Sequence, residues 1–170
     1  MKFGFFLLVA FLLFSLTGLM AQDCQYELNE FDKFTKEQKL LTKSKLLWKN
    51  AGTGNTFTFK ASLDKGHKSL QIKYSDPKSF TLLHGGDLML LLANGEAITL
   101  HFDQEIAAKR DVVEPRYTAL FSCPLDEEII ARLMSQTITD FRIVHSTGHF
   151  DHPVSAEYAK NIPVLLNCLK

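Results

Sequence analysis

Three histidines and an aspartate near the C-terminus are the residues best able to do chemistry. His145, His149 and His152 stand in the spacing H-x3-H-x2-H, with Asp151 beside the last. Imidazole nitrogens and carboxylate oxygens are zinc ligands, three or four of them converging at about 2–2.3 Å from the ion. An i, i+4 histidine pair converges readily on a helix, but Gly148 and Pro153 argue against a helix here. A bent loop leaving a strand would have to gather the three rings. Metal-assisted hydrolysis on that loop is the enzymatic reading of the chain. The plainer reading is a solvated loop whose imidazoles titrate near neutral pH.

Other catalytic patterns are missing. Asp126, Glu127 and Glu128 lie together, but they open a helix pattern and suit its positive N-terminal end. There is no G-x-S-x-G, no phosphate-cradling G-x-x-x-x-G-K and no G-x-G-x-x-G. His84-Gly85-Gly86-Asp87 reads as a hairpin turn. No catalytic residue and no organic cofactor site is assigned.

Two patterns suggest binding instead. Residues 33–78 hold 11 lysines against three acidic residues, although the whole chain balances 19 basic with 19 acidic groups. Such asymmetry steers a weak anionic ligand to one face, while lysines on wet strand faces also serve solubility and block edge pairing. Zero formal charge and an exported destination exclude a nucleic-acid binder. Trp48 with Phe31, Phe34, Phe57 and Phe59 could form an aromatic ligand face. Alternating phenylalanines in a half-buried strand are more often core.

The elements that must position these residues are mostly strands. Tyr26 and Leu28 alternate with polar neighbours, and residues 31–49 lean to strand over helix. Residues 56–61 and 69–74 alternate around the Asp64-Lys65-Gly66 turn. A short strand spans residues 80–83. Residues 88–93 are apolar on both faces and predict a central strand, returning through the Asn94-Gly95 turn into residues 96–102. Residues 103–116 read as a loop, 117–123 as a strand, 124–135 as a helix, 138–145 as a strand and 146–153 as a polar loop. Ser155 caps a final helix, kinked or restarted at Pro163. The sum is an α+β domain: an antiparallel β meander followed by a helix–strand–helix C-terminal part packed on one face of the sheet.

Residues 1–21 carry Lys2, an apolar run through Phe14, and small residues ending at Ala21, the build of a secretory signal peptide. An uncleaved anchor is the rival. Cleavage leaves residues 22–170 as a single domain with no transmembrane anchor, secreted or periplasmic. Export permits disulfides. A bridge from Cys24 to Cys168 would join two termini that tend to lie close in a domain; the alternatives are a bridge using Cys123, or free thiols. Cys123 itself, within Tyr117, Ala119 and Phe121, reads as a buried small hydrophobe.

Cys24-Gln25-Tyr26 with Asn29 and Asp32, the hairpin around Asn94-Gly95, the strand at 138–143 and the C-terminal cysteine together resemble small secreted proteins of unknown function from Bacteroidota. The resemblance implies an exported single domain and transfers no activity. The expectation is a non-catalytic binding or scaffolding domain of the cell envelope or exterior. The alternative is a zinc-binding protein or metal-dependent hydrolase using His145, His149 and His152. A subunit of a larger envelope assembly, exposing an apolar patch, is a third possibility.

Overall fold

The computed structural model describes residues 24–112 and 115–170. The expected signal peptide at 1–21 lies outside the described residues. Thirteen strands are found among them: β1 (Tyr26–Phe31), β2 (Gln38–Thr42), β3 (Lys45–Lys49), β4 (Thr56–Asp64), β5 (His67–Asp76), β6 (Thr81–Leu82), β7 (Gly86–Leu92), β8 (Ala97–Phe102), β9 (Ile106–Ala107), β10 (Lys109–Arg110), β11 (Tyr117–Leu125), β12 (Ile138–His145) and β13 (Gly148–Pro153). The helices are α1 (Glu127–Ser135), α2 (Ala156–Ala159) and α3 (Asn161–Asn167).

The chain is built as two antiparallel sheets facing each other, which corrects the α+β expectation. Strand takes 53% and helix 14% of the described residues. The first sheet runs β1-β2-β4-β5-β11-β10, with β3 continuing the β2 side of β4. The second runs β13-β12-β7-β8, and β6 pairs with β9 in a third, two-stranded sheet. Each large sheet has an apolar inner face with period two. Phe57, Phe59 and Ala61 on β4, Leu70, Ile72 and Tyr74 on β5, and Ala119, Phe121 and Cys123 on β11 are buried. Opposite them sit Leu88, Leu90 and Leu92 on β7, Ile98, Leu100 and Phe102 on β8, and Phe141 and Ile143 on β12.

Rings cross the interface directly: Trp48 and Phe57 meet Phe141, Tyr74 meets Phe150, and Phe102 meets Phe121. A sheet, not a helical layer, therefore covers the meander, and strand alternation on both partners makes that possible. The C-terminal helices are too short to cover a sheet. They pack Ile162, Leu165 and Leu166 against β3 and β4. Helix α1 starts at Glu127 and not at residue 124, because Pro124 and Leu125 extend β11; Asp126 caps it by accepting from the Ile129 amide, and Ile130 and Leu133 face inward. Ser155 caps α2 in the same way, and Asn161 restarts the helix two residues before Pro163.

Residues 31–49 hold the end of β1, the turn at 32–37, and strands β2 and β3, so the lean to strand over helix holds for their regular parts. The stretch 103–116 contains the short strands β9 and β10, and 146–153 is largely β13 rather than a loop. Strand β7 is central, but its outer residues Met89 and Leu91 are uncovered, Leu91 being 39% exposed. Cys24 and Cys168 lie at disulfide distance with Cα atoms 5.6 Å apart, while Cys123 is free and buried. Among the described residues no helix is long and apolar enough to cross a membrane.

Candidate functional site

The strand character of β13 decides where the three histidines go. Residues along a strand alternate between faces, so His149 and Asp151 point outward while Phe150 and His152 turn toward the other sheet. His145, at the end of β12, is buried and stacks on Phe150 at 3.9 Å. Its Nδ1 faces the amide and hydroxyl of Thr147. His152 stacks on Trp48 at 3.7 Å. His149 stands 3.4 Å from Asp151, whose carboxylate takes a two-pronged bond from Arg142 at 2.6 Å. The H-x3-H-x2-H spacing is thus divided between two faces of one hairpin. No three His, Cys, Asp or Glu side chains are grouped to hold a metal ion among the described residues.

His152 belongs instead to a buried polar chain between the sheets. Its Nε2 lies 3.5 Å from the Tyr74 hydroxyl, and that hydroxyl donates to Asp76 at 3.3 Å. Asp76 also accepts from the Asn55 amide at 2.5 Å and from the Lys78 backbone N–H at 2.8 Å. Burial holds the Tyr74 phenol protonated well beyond its ordinary range. In the sequence Asp76 stands only as the residue before Pro77, and Tyr74 as the last alternating position of residues 69–74. The signal that could have found the pair is their i, i+2 spacing, which puts a tyrosine and an acid on one face of β5.

Burial lowers the pKa of His145, and of His152, below the ordinary imidazole value, and nearby Asp76 opposes that shift at both rings. At His145 a hydrogen bond with the His149 backbone opposes burial most and the His149 charge adds to the lowering, both ahead of Asp76; at His152 Asp151 adds a raising push smaller than that of Asp76. Both rings are therefore harder to protonate in the fold than in the unfolded chain, where histidine titrates near about 6.5. Their stabilisation is complete above that pH and is lost as pH falls through it toward the depressed folded values. Thermal unfolding midpoints should drop between about pH 7 and pH 5, and His152→Phe should flatten that slope. A wild-type slope in both His145→Phe and His152→Phe would assign the effect to other groups. Asp151, lowered by its bond to Arg142, acts only in the separate carboxylate range.

The lysines of 33–78 do not form one face. Lys39, Lys60 and Lys68 pair with Asp64, Glu27 and Glu127 respectively. A coherent surface nevertheless exists on the outer side of the first sheet. Strand register sets Thr56, Ser75 and Thr118 in one row, Thr58, Lys73 and Leu120 in the next, then Lys60, Gln71 and Ser122, then Ser62, Ser69 and Pro124. The hydroxyls of Ser62, Ser69 and Ser122 bond to one another, as do those of Ser75 and Thr118.

Two shallow clefts cross this grid. One of about 690 Å³ is lined by residues including Thr58, Lys60, Gln71, Lys73, Leu120 and Ser122. Its neighbour, about 480 Å³, is lined by Lys49, Gly54, Arg116, Asp111 and others, and shares Thr56 and Lys73 with the first. Gly54 matters there: its φ is +69°, and a Cβ would occupy the place of the Arg116 guanidinium. Arg116 lies outside the lysine-rich segment, and pairing between distant strands brings it to the cleft. The sequence could not show that.

The aromatic residues also divide. Phe57 and Phe59 are core and Trp48 is nearly so, whereas Phe31 and Phe34 are exposed. The outer face of the second sheet carries a groove of about 460 Å³ floored by Met89, Leu91 and Ala97, with Arg142 and Asp151 beside it. None of these surfaces sets a nucleophile, a base and an orienting acid in line; what they offer is hydrogen-bond donors, cations and modest apolar area. Set against family models, curated proteins and solved structures, the chain matches none of them.

Proposed function

We propose that this chain is a non-catalytic binding domain of the cell envelope or exterior, and that the outer face of its first sheet takes an anionic, hydroxyl-rich polymer such as an acidic glycan. The observation that carries the reading is the pair of adjoining clefts sharing Thr56 and Lys73. Lys49, Lys60, Lys73 and Arg116 line them among serine, threonine and glutamine side chains. Strands about 4.8 Å apart repeat these donors at intervals comparable to those of sugar units in a chain. Leu120, 66% exposed, supplies the apolar contact that a sugar ring's C–H face prefers. Lysine suits such a ligand because its ammonium is a mobile point charge and demands no fixed bidentate geometry. Glu27 engages Lys60 at 2.6 Å, so part of the positive charge is already answered and affinity is modest.

The exported location rests on the signal-like residues 1–21 and is supported by the Cys24–Cys168 pair, which suits an oxidising compartment. Affinity electrophoresis in gels containing polygalacturonate tests the site. Wild type should be retarded by polygalacturonate and not by neutral dextran, with retardation falling as salt rises. Lys73→Glu should reduce it at least about tenfold, since it reverses one charge in both clefts. Equal mobility in both gels, or unchanged retardation in Lys73→Glu, would refute the assignment.

A further inference from the structure

The β1–β2 hairpin ends in a tip with an unusual make-up. Strand β2 pairs with β4 only through Leu40 and Leu41, whereas the β1–β2 ladder runs on through Glu30–Lys39 to Phe31–Gln38. The hairpin end therefore overhangs the sheet. It carries the two most exposed phenylalanines among the described residues, Phe31 at 62% and Phe34 at 84%. Water is a poor solvent for two bare phenyl rings, and no packing need of the fold is met by them.

The turn beneath these rings bonds most of its amides internally. Asp32 accepts from the Phe34 and Thr35 amides through its carboxylate and from the Lys36 amide through its carbonyl. The Asp32 amide donates to the Glu37 carbonyl, and the Glu37 amide to the Thr35 hydroxyl. Lys36 accepts a positive φ of 61° to close the turn. The amides of Asp32, Phe34, Thr35, Lys36 and Glu37 are thus all bonded, so the tip can leave water without stranding those donors, the main cost of moving backbone into an apolar phase.

Around the rings stand long cationic side chains. Lys33 reaches over the Phe34 ring at 5.1 Å, Lys36 follows it in the turn, and Lys65 lies on the neighbouring β4–β5 turn. Such stems lie along apolar surface while their ammonium groups reach outward to phosphate. The nearby acids are partly answered: Asp64 pairs with Lys39, and Asp32 is held by backbone amides that keep its pKa below the usual range. Glu30 and Glu37 remain and limit the electrostatic pull.

From this we infer that the β1–β2 tip is a membrane-interface anchor, inserting Phe31 and Phe34 at the level of the lipid headgroups while Lys33, Lys36 and Lys65 engage phosphates. An overhanging tip with these amides bonded and its rings fringed by lysines fits a lipid surface better than a strand-pairing partner, which would need open donors. The inference is independent of the proposed glycan-binding face, which is centred on β4, β5 and β11.

Sedimentation with vesicles of equimolar phosphatidylethanolamine and phosphatidylglycerol tests it. Wild type should pellet with the vesicles. Phe31→Ser/Phe34→Ser should partition at least about tenfold more weakly, with an unchanged unfolding midpoint because both rings are exposed. Lys73→Glu should pellet like wild type, which separates this result from the fate of the glycan proposal. In Phe34→Trp the added indole should shift its emission to the blue on vesicle addition and be quenched by brominated acyl chains, against the constant signal of buried Trp48. Equal pelleting of wild type and the double serine variant, or no quenching, would overturn the anchor. Capture of a protein by wild type and not by the serine variant, with no vesicle binding by either, would also overturn it and make the tip a protein-docking element.

Discussion

Replacing Cys24 and Cys168 by serine should lower the unfolding free energy by about 2–5 kcal/mol. The pair lies 144 residues apart in sequence, so closing it removes much of the freedom of the unfolded chain, roughly 5 kcal/mol in the loop-entropy picture. The native side has its own reason to need the link. Cys24 precedes β1, an edge strand paired only to β2, and Cys168 follows α3, a helix of seven residues. Neither element is long enough to stand alone. The Tyr26 hydroxyl donates to the Cys168 carbonyl at 2.9 Å and holds the same junction after the sulfurs part. The reduced protein should therefore stay folded at low temperature but lose amide protection first in β1 and α3, which hydrogen exchange would resolve. Cys123 should take no part: burial pushes its thiol up to about 12, so alkylation of the reduced folded protein should leave it unlabelled. Equal denaturant midpoints with and without the bridge would sink the argument. The slope of the transition should also be read, because a freed unfolded chain exposes more surface.

Much of this framework is legible in the residues. Alternation of Phe57, Phe59 and Ala61, and of Leu70, Ile72 and Tyr74, is a local signal, and the strands it predicts are present. Asp126 with Glu127 and Glu128, and Ser155 before a periodic apolar run, announce helix starts for reasons of capping and dipole that act within one turn. The tendency of termini to meet favoured a Cys24–Cys168 bridge among the alternatives the sequence left open, and these two cysteines lie at disulfide distance. What could not be read was which surface covers which. Apolar faces on strands do not say whether a helix or a second sheet will bury them, and the expected helical layer was wrong on that point.

The histidines show the same limit at smaller scale. Ser146-Thr147 is the two-residue turn of the β12–β13 hairpin, yet its composition, with Gly148 and Pro153 nearby, looks like an open loop. Once residues 148–153 are a strand, His149 and His152 must part. Asp76 was hidden for a related reason. Tyr74 stands two residues before it on β5, but Asn55 comes from the turn before β4, and its influence on His145 and His152 reaches across to the second sheet.

The other large effect is expected at Asp76, and Asp76→Ala should destabilise the fold by about 3–5 kcal/mol. Asp76 is 5% exposed, and its carboxylate accepts from three groups: the Asn55 side-chain amide, the Tyr74 hydroxyl and the Lys78 backbone N–H. Alanine would strand donors at a place where water reaches poorly, and would leave a gap beside Tyr74, itself fully buried. The cost is thus mostly desolvation without compensation rather than a lost attraction. Asp76→Asn should be milder, about 1–2 kcal/mol. Asn55 Oδ1 is buried with no hydrogen-bond partner among the described residues, and the replacement amide brings a donor that this oxygen can accept from, while keeping one acceptor for its neighbours. The milder variant has a second signature. Asp76 is the acidic group that raises the pKa of both His145 and His152 against the effect of burial. Without its charge the folded-state values fall further, so the loss of stability that begins near about pH 6.5 should continue to lower pH and grow in size. Urea titrations of wild type, Asp76→Ala and Asp76→Asn at pH 8 and pH 5 separate the two components. If Asp76→Ala unfolds within about 1 kcal/mol of wild type, the polar chain between the sheets is solvated rather than buried. If Asp76→Asn shows the wild-type pH slope, the aspartate does not act on the histidines, and the coupling between the two sheets is one of packing alone.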